Sequence, residues 1–232
     1  QSDLARLVSI AEPSGGSLLD IATGAGHVAL AFAPFMDRVV ASDPTQKMLD
    51  VAQTEADRRG LTNFETCLCW AEDLPFVNES FEAVTCRMAP HHFRSPEQFV
   101  AEVFRVLKPG GWFLLADNTG IDGDPDAHQE LQAFEARRDP SHVEDYTIDQ
   151  WVKWLSAQGF VLSFQQELKK TLVLEDWLAR MQVNKVDSDH LRGQLEGATG
   201  ALGAYLNRKV AEGGEVTFEL AETTFFARKP AI

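Results

Sequence analysis

The feature that most constrains this chain is a short apolar run that breaks into glycines, SLLDIATGAG at residues 17–26. A strand that is apolar on both faces, followed at once by small residues and a helical pattern, fits a parallel sheet covered by helices. The alternation recurs. RVVASD (38–43) reads as a second strand, and TQKMLDVAQTEADRRG as a helix ending at Gly60. FETCLCW (64–70) and SFEAVTCR (80–87) read as the third and fourth strands. PEQFVAEVFRVLKPGG (96–111) reads as a helix with apolar residues at Phe99, Val100, Val103, Val106 and Leu107, and WFLLAD (112–117) as a fifth strand. Strands joined by helices through short links predict right-handed crossovers and a ligand crevice at the carboxyl ends of the strands.

The second half is less regular. Residues 118–145 are polar and acidic, with a helix expected at DAHQELQAFEARRD. Further helices are expected from Ile148 to Gln158, at LEDWLARMQVNKV and near HLRGQLEGATGALGAYLNRKVAEGG. FVLSFQQEL reads as a strand, and EVTFELAETTFFARK as a strand pair or one long strand. No linker or repeat divides the 232 residues, so they read as one domain, 1–232. Its core would span about 18–120, and a lid with the sheet's far edge about 121–232. Trp151 and Trp154, three apart on one helix, read as packing residues. Trp177 and Met181, four apart, suit a core or a pocket wall alike.

Acidic residues outnumber basic ones 35 to 21, a formal charge of −14. That balance argues against nucleic acid or an anionic membrane as partner, because both need a positive field. No stretch approaches the ~18 apolar residues of a membrane span, and the first residues show no signal-peptide pattern. The missing initiator Met predicts a trimmed N-terminus. Three cysteines, Cys67, Cys69 and Cys86, read as free thiols of a reducing, cytoplasmic compartment. Cys67 and Cys69 share one strand face but lack the further Cys or His of a zinc site.

The glycine loop carries chemistry. Glycines after a buried strand admit a ligand where a Cβ would block it, and the next helix offers free N–H groups. Gly24, Gly26 and Ala29 satisfy the G-x-G-x-x-G/A dinucleotide pattern. Asp43, closing the second strand, suits the ribose of a dinucleotide or of another adenosine ligand. A purely structural turn is the plainer alternative.

The ordered series LLDIATGAG, WAEDLPFVNESFEAVTCR and RVLKPGG, with a hydrophobic strand after it, resembles the class I S-adenosylmethionine (SAM)-dependent methyltransferases. It is most similar to the UbiE-like small-molecule group, over Leu18 to Asp117. The resemblance implies an α/β, Rossmann-like fold: a doubly wound, seven-stranded, mostly parallel sheet with a final antiparallel strand and helical lid additions. It implies SAM as cofactor, S-adenosylhomocysteine (SAH) as product and a small-molecule acceptor. Asp20, Ala22, Thr23, Gly24 and Gly26 match the loop around the methionine part, with Asp20 toward the ammonium group. Asp43 matches the ribose-binding acid, with Pro44 to Met48 walling the pocket. Ala71 and Glu72 match the adenine loop. Cys86, Arg87 and Met88 match the strand end beside the sulfonium and the acceptor.

Two positions depart from the pattern. Ala22 stands for the first glycine. Trp70 stands where many relatives carry an Asp, and it either stacks on adenine or belongs to the core; Glu72 or Asp73 would then supply the acceptor. His91 and His92, after the fourth strand, are the catalytic candidates, as general base or as residues that cap and orient the loop. His92 is preferred, because the family pattern ends in a similar His-Phe pair. Asp117 and Asn118 would face the same cleft. No catalytic metal is expected, since Cys86-Arg87 stands where metal-dependent relatives need a carboxylate. The alternatives are a SAM-binding regulatory protein without turnover and an NAD-dependent oxidoreductase, which shares the glycine loop but not the later motifs. The acceptor atom, carbon, oxygen, nitrogen or sulfur, is left open.

Overall fold

A computed structural model describes residues 3–231. Its elements run α1 (Asp3–Ala11), β1 (Ser17–Ile21), α2 (His27–Phe32), β2 (Arg38–Asp43), α3 (Gln46–Arg58), β3 (Phe64–Leu68), β4 (Phe81–Arg87), α4 (Pro96–Val106) and β5 (Leu107–Asn118). Then come α5 (Pro125–Arg138), α6 (Ile148–Gln158), β6 (Val161–Val173), α7 (Leu174–Arg180), α8 (Lys185–Gly197), α9 (Gly200–Leu206), β7 (Lys209–Val210) and β8 (Val216–Arg228).

The strands lie in the order β3-β2-β1-β4-β5-β8-β6, with the short β7 paired to β8. The first five are parallel. β8 runs antiparallel to β5, since backbone bonds join residue 110 to 229 and residue 119 to 221. The Rossmann-like α/β fold expected from the sequence is therefore present, with β7 as an addition. The order reverses between β1 and β4, which places a crevice at their carboxyl ends.

Local sequence explains the elements. In β1, Leu18, Leu19, Asp20 and Ile21 are all buried, as a strand covered on both faces requires. Burying each leucine is worth about 2 kcal/mol. In α3, Leu49, Ala52 and Ala56 form one buried stripe, and Gly60, at φ +69°, closes the chain after it. α4 opens with Pro96 in its first turn and buries Phe99, Val100, Val103 and Val106.

One boundary differs from the periodicity. The helix expected over 96–111 ends at Val106, and the strand expected at 112–117 begins at Leu107. Leu107 pairs with Phe81 and Trp112 with Ala83, so the four residues 108–111 of β5 stand against Glu82 of β4 alone and bulge out. Pro109 has no N–H to donate to a ladder, and Gly110 takes φ +80°. The bulge is stapled to the chain's end: Gly110 N–H donates to the Lys229 carbonyl and Lys229 N–H to that of Gly111, both at 2.9 Å.

The chain forms two compact units. The first comprises residues up to 116, 152–165 and from 224 onward; the second comprises 117–151 and 166–223. In the first, Leu18, Val39 and Ala83 of the sheet pack with Phe32 and Ala52 of the helices. In the second, Phe134 stacks on Trp177 at 5.1 Å, with Phe218 edge-on to both. The Arg138 guanidinium lies 4.6 Å over Trp177. Tyr205 ties this unit's strand ends: its hydroxyl donates to the Thr119 carbonyl at 2.6 Å and accepts from Ala221 N–H at 3.1 Å. Trp151 and Trp177 are buried while Met181 is 40% exposed, so the tryptophans are packing residues.

Candidate active site at the strand ends

The sheet order sets the carboxyl ends of β2, β1 and β4 side by side, with Ile21 in register with Ser42 and with Cys86. Asp43 closes β2 and is buried. Its Oδ2 accepts from Gly24 N–H and its Oδ1 from Thr45 N–H, each at 2.9 Å. Thr23 N–H donates to the Ser42 carbonyl at 2.8 Å. The glycine loop after β1 is thus fastened to the end of β2, and the Asp43 carboxylate lies against its backbone.

The loop bends through left-handed residues: Ala22 at φ +52°, Gly24 at +54° and Gly26 at +82°. The two glycines serve different needs. A Cβ on Gly26 would come within 2.8 Å of the Ala52 Cβ, so this position lets α2 and α3 pack closely. A Cβ on Gly24 would meet no atom within 4 Å. Gly24 therefore faces open space, with the Asp43 carboxylate on its amide.

Asp20 lies under the loop and is 1% exposed. Its Oδ1 accepts from the Thr85 hydroxyl at 2.6 Å, and its Oδ2 from the Thr23 hydroxyl at 2.5 Å and Ala29 N–H at 3.2 Å. Burial pushes its carboxyl up to about 6, against those three hydrogen bonds and the nearby charge of Arg87, which pull it down. The carboxylate holds the loop and the start of α2 in place.

Beyond β3, Cys69 N–H donates to the Asp43 carbonyl at 3.3 Å, which brings the 69–73 turn beside the ribose-type acid. Ala71 is buried and Glu72 half-buried. Trp70 is 67% exposed, so it is no core residue. Burial first, then the neighbouring Cys67, pushes the Cys69 thiol up to about 12, as expected of an inert packing thiol. Pro44 and Met48 are exposed along the entry to α3.

At the end of β4, Cys86 is buried and Arg87 half-buried. An Arg87 terminal nitrogen lies 3.5 Å from Asp3 of α1. Met88 takes φ +52°, unusual for a side chain of its size, and donates its N–H to the Ala116 carbonyl at 2.8 Å. His91 and His92 follow in a single helical turn, Pro90–His92, with ring centroids 4.1 Å apart. Asp117, at the end of β5, is buried, and Asn118 half-buried.

Sequence reasoning missed the residues that support the site. Thr85 is the register partner of Asp20 across β1 and β4, so strand pairing alone would have found it. Glu102 and Arg105 of α4 clamp the loop after Ala71. Glu102 accepts from Leu74 N–H at 2.9 Å, and Arg105 donates to the carbonyls of Leu74 at 2.9 Å and Phe76 at 2.6 Å while pairing with Glu102. Arg105 holds the Glu102 carboxyl below its ordinary value, with burial opposing. The two motifs WAEDLPF and RVLKPGG are thereby parts of one hydrogen-bonded unit.

Comparison with known proteins agrees with this geometry. Residues 19–115 match the family described as "Methyltransferase domain". The chain is 38% identical to the protein BH2331 of Bacillus halodurans C-125, whose crystal structure superposes with a TM-score of 0.93 over 100% of both chains. A partial likeness is to the ubiquinone/menaquinone biosynthesis C-methyltransferase UbiE of Desulfotalea psychrophila, 34% identical over 110 residues, 47% of this chain and 44% of that one. To the uncharacterized methyltransferase YcgJ of Bacillus subtilis it is 36% identical over 179 residues, 77% of this chain and 70% of that one. With the strand-end loop, the sheet order and these relatives in agreement, the chain belongs to the class I SAM-dependent methyltransferase family.

Proposed function

We propose that the chain transfers the methyl group of SAM to a small-molecule acceptor of aromatic or quinone-like character and releases SAH. One observation carries the reading: the Asp43 carboxylate lies 2.9 Å from the Gly24 amide, beside a loop whose Gly24 faces open space. Both Asp43 oxygens keep a lone pair for ribose hydroxyls after accepting from Gly24 and Thr45. Ala22, Thr23, Gly24 and Gly26 would border the methionine part, with the Asp20 charge beneath it toward the ammonium group. Pro44 and Met48 would wall the pocket, and Ala71 and Glu72 would flank adenine, with exposed Trp70 free to stack on it. Cys86, Arg87 and Met88 would line the space toward the acceptor.

Bound SAM supplies a methyl group on a sulfonium, which leaves as a neutral thioether. The chain's work is alignment, worth several kcal/mol by proximity. His92, with His91 beside it, takes the acceptor's proton near neutral pH. No catalytic metal takes part: Arg87 stands where a metal site would need a carboxylate. The partial likeness to UbiE supports a flat, partly apolar acceptor. The −14 charge disfavours a nucleic acid acceptor.

Calorimetry with SAM and SAH tests the reading. Sub-millimolar binding is expected, weakened roughly tenfold or more by Asp43→Ala, which removes a charged acceptor from the ribose. SAH release over a panel of phenols and hydroquinones then reads turnover. Failure of both ligands to bind sinks the proposal. Binding without SAH release on any acceptor favours the regulatory alternative.

A further inference from the structure

Arg87 closes β4, and its guanidinium has more bonding capacity than the fold uses. Thr85, two residues earlier on the same strand face, meets Asp20 at 2.6 Å. Arg87 therefore stands about 7 Å nearer the ligand edge than that contact. It is also the register partner of Ala116 in β5. That sets it at the β4–β5 border, while Gly24 and Asp43 meet on the β1–β2 side. A cofactor laid over Gly24 and Asp43 reaches this border with its sulfonium end, and the acceptor lies beyond it.

The Arg87 side chain is 22% exposed, and its Nε is closed to solvent. The open edge of the guanidinium is therefore its terminal pair of nitrogens. One of them reaches Asp3, itself 55% exposed, at 3.5 Å. An ion pair that long and that wet contributes little. Arg87 makes no other hydrogen bond to a described residue. A guanidinium fork grips a carboxylate through two parallel bonds, and Asp3 takes only one end of it. A cation left beside the sulfonium also repels it, and an anion held on Arg87 would reverse that repulsion.

We infer that the methyl acceptor is an acid, whose carboxylate displaces Asp3 from the terminal nitrogens of Arg87 and so orients the molecule for transfer. The inference rests on the proposed methyl transfer. The carboxylate is not the group that is methylated, because a guanidinium on the attacking atom would lower its nucleophilicity. It lies elsewhere on the acceptor, and Arg87 is a specificity-determining residue.

The test forms the complex of the full chain with SAH and adds matched pairs: 3,4-dihydroxybenzoate against catechol, and 4-hydroxybenzoate against phenol. Calorimetry and ligand-observed NMR read binding. Each acid is expected to bind at millimolar concentration or below, at least roughly tenfold more tightly than its neutral partner. Arg87→Met should erase that difference, and Arg87→Lys should restore only part of it, since an ammonium lacks the fork. Asp3→Asn removes the competing carboxylate, so the preference for the acids should persist or grow. If Asp3 and Arg87 served only to fasten α1, the two variants would behave alike. Binding of 5′-methylthioadenosine, which has the adenosine and the thioether but no amino-acid part, shows that each variant keeps its fold. Failure of the wild type to bind SAH sinks the proposed function and this inference with it. With SAH bound, three results overturn the inference alone: acids no tighter than their neutral partners, a preference that survives Arg87→Met, or loss of that preference in Asp3→Asn. A fourth is an Arg87→Met variant that loses SAH tenfold while keeping 5′-methylthioadenosine, which would put the cofactor's own carboxylate on Arg87.

Discussion

The Thr85 hydroxyl and the Asp20 carboxylate meet at 2.6 Å across neighbouring parallel strands, in a place closed to solvent. A carboxylate there supports the glycine loop through Thr23 and Ala29 and sits uncomfortably as a charge. Its carboxyl is raised from 3.8 to about 6, chiefly by burial. A raised acid is a proton bound by the folded state and not by the unfolded one. Its contribution to stability is complete below about pH 4 and is lost as pH rises through 6.

Asp20→Asn removes that titration while nearly keeping the shape. The stability of the wild type minus that of the variant should fall by about 2 kcal/mol between about pH 4 and about pH 7. Denaturant melts of both proteins across that range measure it. A flat difference would show that Asp20 titrates as an ordinary carboxyl.

Arg105 holds two backbone carbonyls, of Leu74 and Phe76, and the Glu102 carboxylate. Arg105→Met leaves all three without this donor and should destabilise the chain by about 2–4 kcal/mol. Because the clamped loop begins at Ala71, SAH binding should weaken as well. Arg105→Lys should recover only part of either loss, since an ammonium cannot fork between two carbonyls and a carboxylate. Urea titration reads the first effect and calorimetry the second.

Ala22 bends at φ +52°, where a Cβ costs about 1 kcal/mol. Ala22→Gly relieves that cost and gives back about 0.4–1 kcal/mol through a looser unfolded chain. The variant should lie within about 0.5 kcal/mol of the wild type in chemical denaturation. Ala22→Val, β-branched at the same φ, should lose about 2 kcal/mol. Equal stability of the valine variant would mean the loop is not held in this bend.

Much of this was legible in the sequence because it depends on periods and spacings. A strand apolar on both faces, as at Leu18–Ile21, announces a parallel sheet, and glycines after it announce a backbone approached closely. What was not legible depends on which strands become neighbours. Thr85 reads as an ordinary strand residue until β4 lies beside β1 and sets it opposite Asp20. Glu102 and Arg105 read as a solvated pair on a helix until the fold returns residues 74–76 to them. The bulge at 108–111 was hidden for a similar reason. A PGG turn ends a helix locally, and only the pairing of Leu107 with Phe81 makes it an interruption within a strand.

Gly24 and Gly26, two residues apart in one loop, should respond oppositely to alanine. At Gly26 the new Cβ would fall 2.8 Å from that of Ala52, at φ +82°. Gly26→Ala must therefore push α2 from α3, and it should cost about 2–3 kcal/mol of stability. At Gly24 the Cβ meets nothing within 4 Å, and only φ +54° is against it. Gly24→Ala should cost about 1 kcal/mol and leave the fold intact. Yet its methyl group enters the space proposed for the cofactor, so SAM and SAH binding should drop by roughly tenfold or more. Paired measurements of unfolding and SAH binding on the two variants separate the roles. If Gly24→Ala binds SAH as the wild type does, the open space beside Gly24 is not where the cofactor lies.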